Sequence, residues 1–246
     1  TEPDADGWCS LSLHAGGTVD EIHRAGADPD RILIVEAAQR FPRTFGHGEY
    51  RHAVHVDEID ILVRSTEAPL ALPGVDTPPS DVDRAIAAHA VKYIPSGATL
   101  QTGIGSIPSQ IATLLAEGDK GDFGLHSEMF TDGCMRLHRA GKVTNTHKGQ
   151  YHGLSVTTFA FGSPDLYSWL DGNPEVGFLP VGIVNAPEVI AANHTMISIN
   201  GALAVDAHGQ VVADTIDGRQ FSGIGGAEDF VAGAGLELSD RSLICL

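Results

Sequence analysis

Positive charge is scarce in this sequence. Fifteen Lys and Arg stand against 32 Asp and Glu, a formal charge of −17 over 246 residues. That field repels a phosphate backbone and no basic patch interrupts it, which argues against a nucleic-acid partner. Cysteine is also rare: Cys9, Cys134 and Cys245 form neither a CxxC pair nor a disulfide framework, and a reducing cytoplasm is the expected compartment. No run of eighteen apolar residues exists, so a membrane partner is not expected. The opening TEPDADGWCS lacks a basic stretch followed by an apolar one, so no secretory leader is expected, and a start at Thr1 suggests a processed or partial product. Absent too are the GxSxG elbow of serine hydrolases and the lysine of a P-loop.

What is present is an alternation of short apolar runs with helical spacing, the pattern of an α/β protein. Thr18 is positioned to cap a helix, and Arg31–Glu36 reads as a buried parallel strand. Residues 69–80, with Pro69, Pro73, Pro78 and Pro79, make the best linker. Beyond it, Asp81 to Tyr93 has helical spacing and stops before Pro95. Thr99–Gln101 reads as a strand opening into Gly103–Pro108 and then a helix. Thr157–Phe161, Val176–Pro180 and Met196–Asn200 read as further strands, and His208-Gly209 as a hairpin turn.

Several residues invite a chemical reading. Glu128, in GDFGLHSEMFTDG, falls where a short strand meets a helix, and ligands of open α/β sheets gather at the carboxyl ends of strands. A reactive acid and a surface or helix-capping glutamate both fit that position. His126, two residues earlier, either lines the same pocket or fills the strand end. The loop QTGIGSIP presents amides at a helix start, suited to an anion or a developing oxyanion, or simply forms a tight turn. Its GxGxxP pattern does not match a dinucleotide fingerprint. SGIGG, residues 222–226, allows either close backbone approach to a ligand or a bulge. His47, His52 and His55 with Glu49 match no zinc spacing and read as structural, so no metal is expected. Cys134 reads as packing.

Four stretches in this order, QTGIGSIPSQIATLL, GLHSEMFTDGCMRL, SINGALAVDAHGQVVAD and FSGIGGAEDFVAGA, resemble the acetyl-CoA hydrolase/transferase family, and FPRTFG and HVDEIDILV resemble the end of its first domain. The resemblance implies an α/β fold of two CoA-transferase-type (NagB/RpiA-like) domains. Residues 1–75 would be the C-terminal part of the first, only partly present, and residues 76–246 the second, catalytic domain, short of its C-terminal end. It implies that Glu128 is the catalytic glutamate, carrying acyl as an anhydride and CoA as a glutamyl thioester. Gln101, Gly103, Gly225 and Gly226 would serve substrate and oxyanion. Gly103, Ile104, Gly105, Ser106, Ile107, Asn200 and Gly226 would contact CoA, whose phosphates backbone amides hold despite the acidic chain. The implied activity is transfer of CoA between a short-chain acyl-CoA and a carboxylate such as acetate. Acetyl-CoA hydrolysis by the same glutamate and an inactive CoA-binding fragment are the alternatives. No permanently bound cofactor is implied, and the implied assembly is a homodimer. The sequence departs from the family's S-I-N-S-A-[IL]-E-V-D at Gly201 and Ala204, which replace the second Ser and the Glu.

Overall fold

The structure is a computed structural model that describes residues 1–73, 78–223, 225–235 and 237–246. The domain boundary expected between residues 75 and 76 lies outside the described residues, as does Ile224 of the second glycine loop. The N-terminal region contains β1 (Trp8–Ser10), α1 (Val19–Ala27), β2 (Ile34–Ala38), β3 (Ala53–His55) and β4 (Ile61–Ser65). β1 pairs antiparallel with β3, and β2 pairs parallel with β4.

Two expectations for this region need correction. Thr18 occupies the N-cap of α1, but its side chain makes no capping bond, because its backbone is already in the helical region. The strand within Arg31–Glu36 is parallel as expected but not buried: Ile34 is 61% and Ile61 48% exposed. Among the described residues β2 and β4 form a sheet whose Ile34, Ile61, Leu62 and Val63 lie exposed, without the cover on both faces that gives parallel strands their apolar character.

The rest of the chain alternates strand and helix. α2 (Asp81–Ala90) leads to β5 (Thr99–Thr102) and α3 (Ser106–Glu117). β6 (Gly124–Leu125), β7 (Met129–Phe130) and α4 (Asp132–Arg139) follow. Next come β8 (Ser155–Thr157), β9 (Phe159–Ala160), α5 (Pro164–Leu170) and β10 (Val176–Phe178). Two short helices, α6 (Val181–Val184) and α7 (Pro187–Ala191), precede β11 (Met196–Gly201).

Local chemistry starts these helices. Ser80 and Asp83 form a reciprocal capping box on α2, at 3.1 and 2.9 Å. Ser163 caps α5 through Leu166 N at 3.2 Å, with Pro164 in the first turn. α3 begins after Gly105, whose φ of +120° favours glycine.

The chain then makes two hairpins, β12 (Ala204–Val205) with β13 (Val211–Val212), and β14 (Thr215–Ile216) with β15 (Arg219–Gln220). The first turns as expected, with Asp206 Oδ1 accepting from His208 N and Gln210 N, each at 2.8 Å. The second turns at Asp217 and Gly218, whose φ values of +49° and +74° are the primed-turn geometry a two-residue loop requires. α8 (Ala227–Gly233) and β16 (Arg241–Cys245) follow.

One parallel sheet runs in the order β16–β11–β5–β6. A parallel bridge between His126 and Val156 extends it to β8 and so to β10. Apolar cores lie on both faces, as a doubly wound sheet demands. Leu100, Ile111, Leu115, Phe123, Leu137 and Ile197 belong to one, and Val156, Leu179, Ile190, Met196 and Phe230 to the other. β11 serves both because alternate side chains point to opposite faces. Each fully buried Leu, Ile or Phe contributes about 2 kcal/mol relative to exposure. No helix among the described residues is long and apolar enough to cross a membrane.

Candidate active site

Strand register sets the site. β5 pairs with β6 through Thr99–Gly124 and Leu100–Leu125, and His126 N extends the ladder to Leu100 O at 3.0 Å. Ser127 Oγ then accepts from Thr102 N at 3.3 Å. One step further, Glu128 is level with Gly103. On the other side of β5, Ile199 is opposite Thr102, which sets Asn200 at the same level. Glu128, Gly103 and Asn200 therefore line the carboxyl edge of three neighbouring strands, where open α/β sheets bind ligands.

Glu128 is held from both ends. Its backbone carbonyl accepts from Thr158 N at 3.0 Å, Phe159 N at 3.2 Å and Thr157 Oγ1 at 2.9 Å. Those bonds break the strand expected over Thr157–Phe161 into β8 and β9, so that β9 pairs with β7 beyond the glutamate. The half-buried carboxylate accepts from Asn185 Nδ2 at 3.1 Å, and Asn185 also donates to Asp229 Oδ2 at 3.1 Å. Two carboxylates on one amide nitrogen fix the orientation of Asn185, since the opposite flip would set its oxygen against both. Its Oδ1 is buried with no hydrogen-bond partner among the described residues. Gly226, at the start of α8, closes the other side. A β-carbon built there would overlap Glu128 Oε2 and Asn185 Nδ2 and would lie 2.7 Å from Glu128 Cδ. Only glycine lets this backbone press on the carboxylate.

Gln101 and Asn200 form a second cluster. Gln101 Nε2 donates to Asn200 Oδ1 at 3.1 Å, and Gln101 Oε1 accepts from Asn200 Nδ2 at 3.2 Å and Ile199 N at 3.1 Å. Gly103 packs against this pair, its N donating to Ile199 O at 2.8 Å. No hydrogen bond among the described residues joins Gln101 to Glu128; the two clusters meet through the Ser127–Thr102 contacts. Gly105, Ser106 and Ile107 continue into α3, with Ile104 54% exposed at the loop tip. Gly225 adopts a φ of +62°, and among the described residues nothing lies within 4 Å of where a side chain would begin. Gly201, next to Asn200, and Ala204, in β12, are both exposed.

Behind Glu128 the protein buries two ionisable groups. Burial, with the nearby Lys148 charge adding to it, lowers the His126 pKa to about 3. Its Nε2 meets Val184 O at 2.8 Å, so the neutral ring donates that proton. Lys148 donates to Leu125 O at 2.9 Å and Leu154 O at 2.7 Å, and burial lowers its pKa to about 7 from 10.5. The linkage has a definite sign. Between those values the unfolded chain binds the extra proton, so the lysine's share of stability rises with pH; below about 7 it is flat. Relative to Lys148→Met, the protein should therefore gain roughly 1 kcal/mol of stability per pH unit between about pH 7.5 and 9.5 in urea unfolding. A constant difference over that window would mean that the buried amine keeps its proton.

The histidine-rich segment scatters. His52 is buried against Ser12 O at 2.8 Å and Thr44 Oγ1 at 3.0 Å, His55 caps a short turn, and His47 lies edge-on to Tyr151. Among the described residues no three His, Cys, Asp or Glu side chains gather as a metal site requires. Cys134 is buried in the core. Sequence reasoning missed Asn185 and Asp229. The one local signal, an Asn before Ala186-Pro187 between two helices, is ordinary capping composition.

Residues 162–246 match the acetyl-CoA hydrolase/transferase C-terminal domain. A 4-hydroxybutyrate coenzyme A transferase of Clostridium kluyveri is 38% identical across 100% of this chain and 54% of its own length. A butyryl-CoA:acetate CoA-transferase of Anaerostipes caccae is 36% identical over 87% of this chain and 48% of its own. The crystal structure of RipA from Yersinia pestis superposes with a TM-score of 0.87 at 32% identity, covering 98% of this chain and 52% of that one. The chain belongs to the acetyl-CoA hydrolase/transferase family. It spans about half the length of the curated relatives it matches.

Proposed function

We propose that the protein is an acyl-CoA:carboxylate CoA-transferase with Glu128 as its nucleophile. The observation that supports this most is a carboxylate on the carboxyl edge of a parallel sheet, oriented by Asn185 and pressed by the backbone of Gly226. A Glu128 oxygen attacks the acyl thioester carbonyl, the C–S bond breaks, and CoA leaves as thiolate from an acyl-glutamyl anhydride. The thiolate then attacks the glutamyl carbonyl and expels the acyl group as a carboxylate, leaving a glutamyl-CoA thioester. An acceptor such as acetate attacks the same carbonyl, and reversal of the sequence delivers acetyl-CoA and frees Glu128. Each step passes through a tetrahedral oxyanion, for which we assign Gln101, Gly103, Gly225 and Gly226.

The loop from Gly103 to Ile107, with Asn200 and Gly226, is assigned to CoA, and the chemistry asks for no further cofactor. We assign residues 1–75 and 76–246 to two CoA-transferase-type domains, in a cytoplasmic homodimer. Butyryl-CoA mixed with isotope-labelled acetate tests the reading. Label should appear in acetyl-CoA without free thiol. Thiol release without label would make the protein a hydrolase, and binding of CoA with neither product would leave it a binding module.

A further inference from the structure

The buried contact behind the glutamate has a purpose the transfer chemistry does not name. His126 and Glu128 are two residues apart on one short connection, between β6 and β7. Val184 and Asn185 are adjacent at the end of α6. His126 Nε2 donates to the Val184 carbonyl at 2.8 Å, and Asn185 Nδ2 donates to Glu128 Oε2 at 3.1 Å. The two bonds run in opposite directions between the same two segments, like the rungs of a short ladder. One is fully enclosed and the other is at the site.

We propose that His126 is a positioning residue, locking the Asn185-bearing segment onto the strand that carries Glu128 so that the amide–carboxylate contact exists before substrate arrives.

Three further features fit this role. α6 has only four residues, a single turn whose end is tied back by one short bond, Asn185 N to Val181 O at 2.9 Å, so contacts from outside the helix decide where Asn185 sits. Asn185 makes its Glu128 and Asp229 contacts through one side-chain nitrogen, so a small shift of its backbone loses both. His126 itself is immobilised: it is fully buried, lies near the rings of Tyr151 and Phe230, and its backbone N is bonded to Leu100 O. Because a misplacement of about 1 Å costs on the order of 100-fold in rate, a bond that acts only by placement has leverage on turnover.

This inference rests on the Glu128 reading for its catalytic consequence, but the clamp itself is measurable without turnover. Two variants separate donation from bulk. His126→Leu fills the space without a donor, and His126→Gln sets an amide N–H near the position of Nε2. In native-state hydrogen exchange, His126→Leu should speed the amides of residues 183–186 about tenfold while leaving α3 unchanged, and His126→Gln should stay close to the parent. In the transfer assay, His126→Leu should lower kcat about 10- to 100-fold with KM for acyl-CoA within about twofold, matching Asn185→Leu, and His126→Gln should restore most of it. Unchanged exchange in His126→Leu would overturn the clamp, as would equal damage from His126→Gln. Faster exchange with undiminished kcat would overturn its role in positioning. Absence of transfer in the parent protein would refute the CoA-transferase reading instead, and the exchange arm alone would then decide the clamp.

Discussion

Glu128→Gln should fold normally and lose about 10⁴-fold or more of its CoA-transfer rate. The substitution preserves shape, and its amide oxygen still accepts from Asn185 Nδ2, which bonds Glu128 at 3.1 Å. What it removes is the anionic oxygen that attacks the thioester. A neutral amide is a far poorer nucleophile, and loss of a nucleophile typically costs several orders of magnitude. The melting temperature should stay close to that of the parent, because the carbonyl bonds from Thr157, Thr158 and Phe159 that fix the backbone do not involve the side chain. Mass spectrometry of the parent with acyl-CoA alone should find CoA attached to the peptide containing Glu128, and the variant should show none. Retention of more than about a hundredth of the parental rate would move the nucleophile elsewhere.

How much of this was legible in the chain depends on how far apart the contributing residues lie. The strand–loop–helix around Gly103 and the hairpin at His208-Gly209 are local features, and the sequence signals each within a few residues. Glu128 was recognisable as the end of a strand for the same reason. Asn185 was not, because its contact spans 57 residues and depends on how α6 meets the sheet. Lys148 reads as a surface lysine in a polar loop, yet it is fully buried over Gly124 and bonded to two carbonyls. The break between β8 and β9 was also hidden, since the strand-forming residues Val156, Thr157, Thr158 and Phe159 run straight through it and only the Glu128 carbonyl explains it. In β2 the error ran the other way: its apolar content reads as a buried strand, yet Ile34 and its partner Ile61 lie exposed.

Gly226→Ala separates the need for a precise carboxylate from the general tolerance of a glycine loop. Gly226 has φ −91° and ψ 8°, a conformation open to alanine, so no backbone strain accompanies the change. The methyl group instead meets the Glu128 carboxylate and the Asn185 amide, and one of them must move. Glu128 is the half-buried partner and yields first, losing the orientation in which it faces the carboxyl edge. Transfer should fall about 100-fold, with a stability cost of about 1 kcal/mol or less because the displaced side chain reaches solvent. Gly225→Ala is the contrasting case. There no described residue meets the methyl group, but the backbone is left-handed at φ +62°, so its cost of about 1 kcal/mol or more is conformational. Measured together by chemical denaturation and by the labelled-acetate assay, the pair should split, with the larger loss of kcat relative to lost stability in Gly226→Ala. Full activity in Gly226→Ala would mean that the carboxylate works from a different position, and the contact with Asn185 would then be a resting arrangement and not the reactive one.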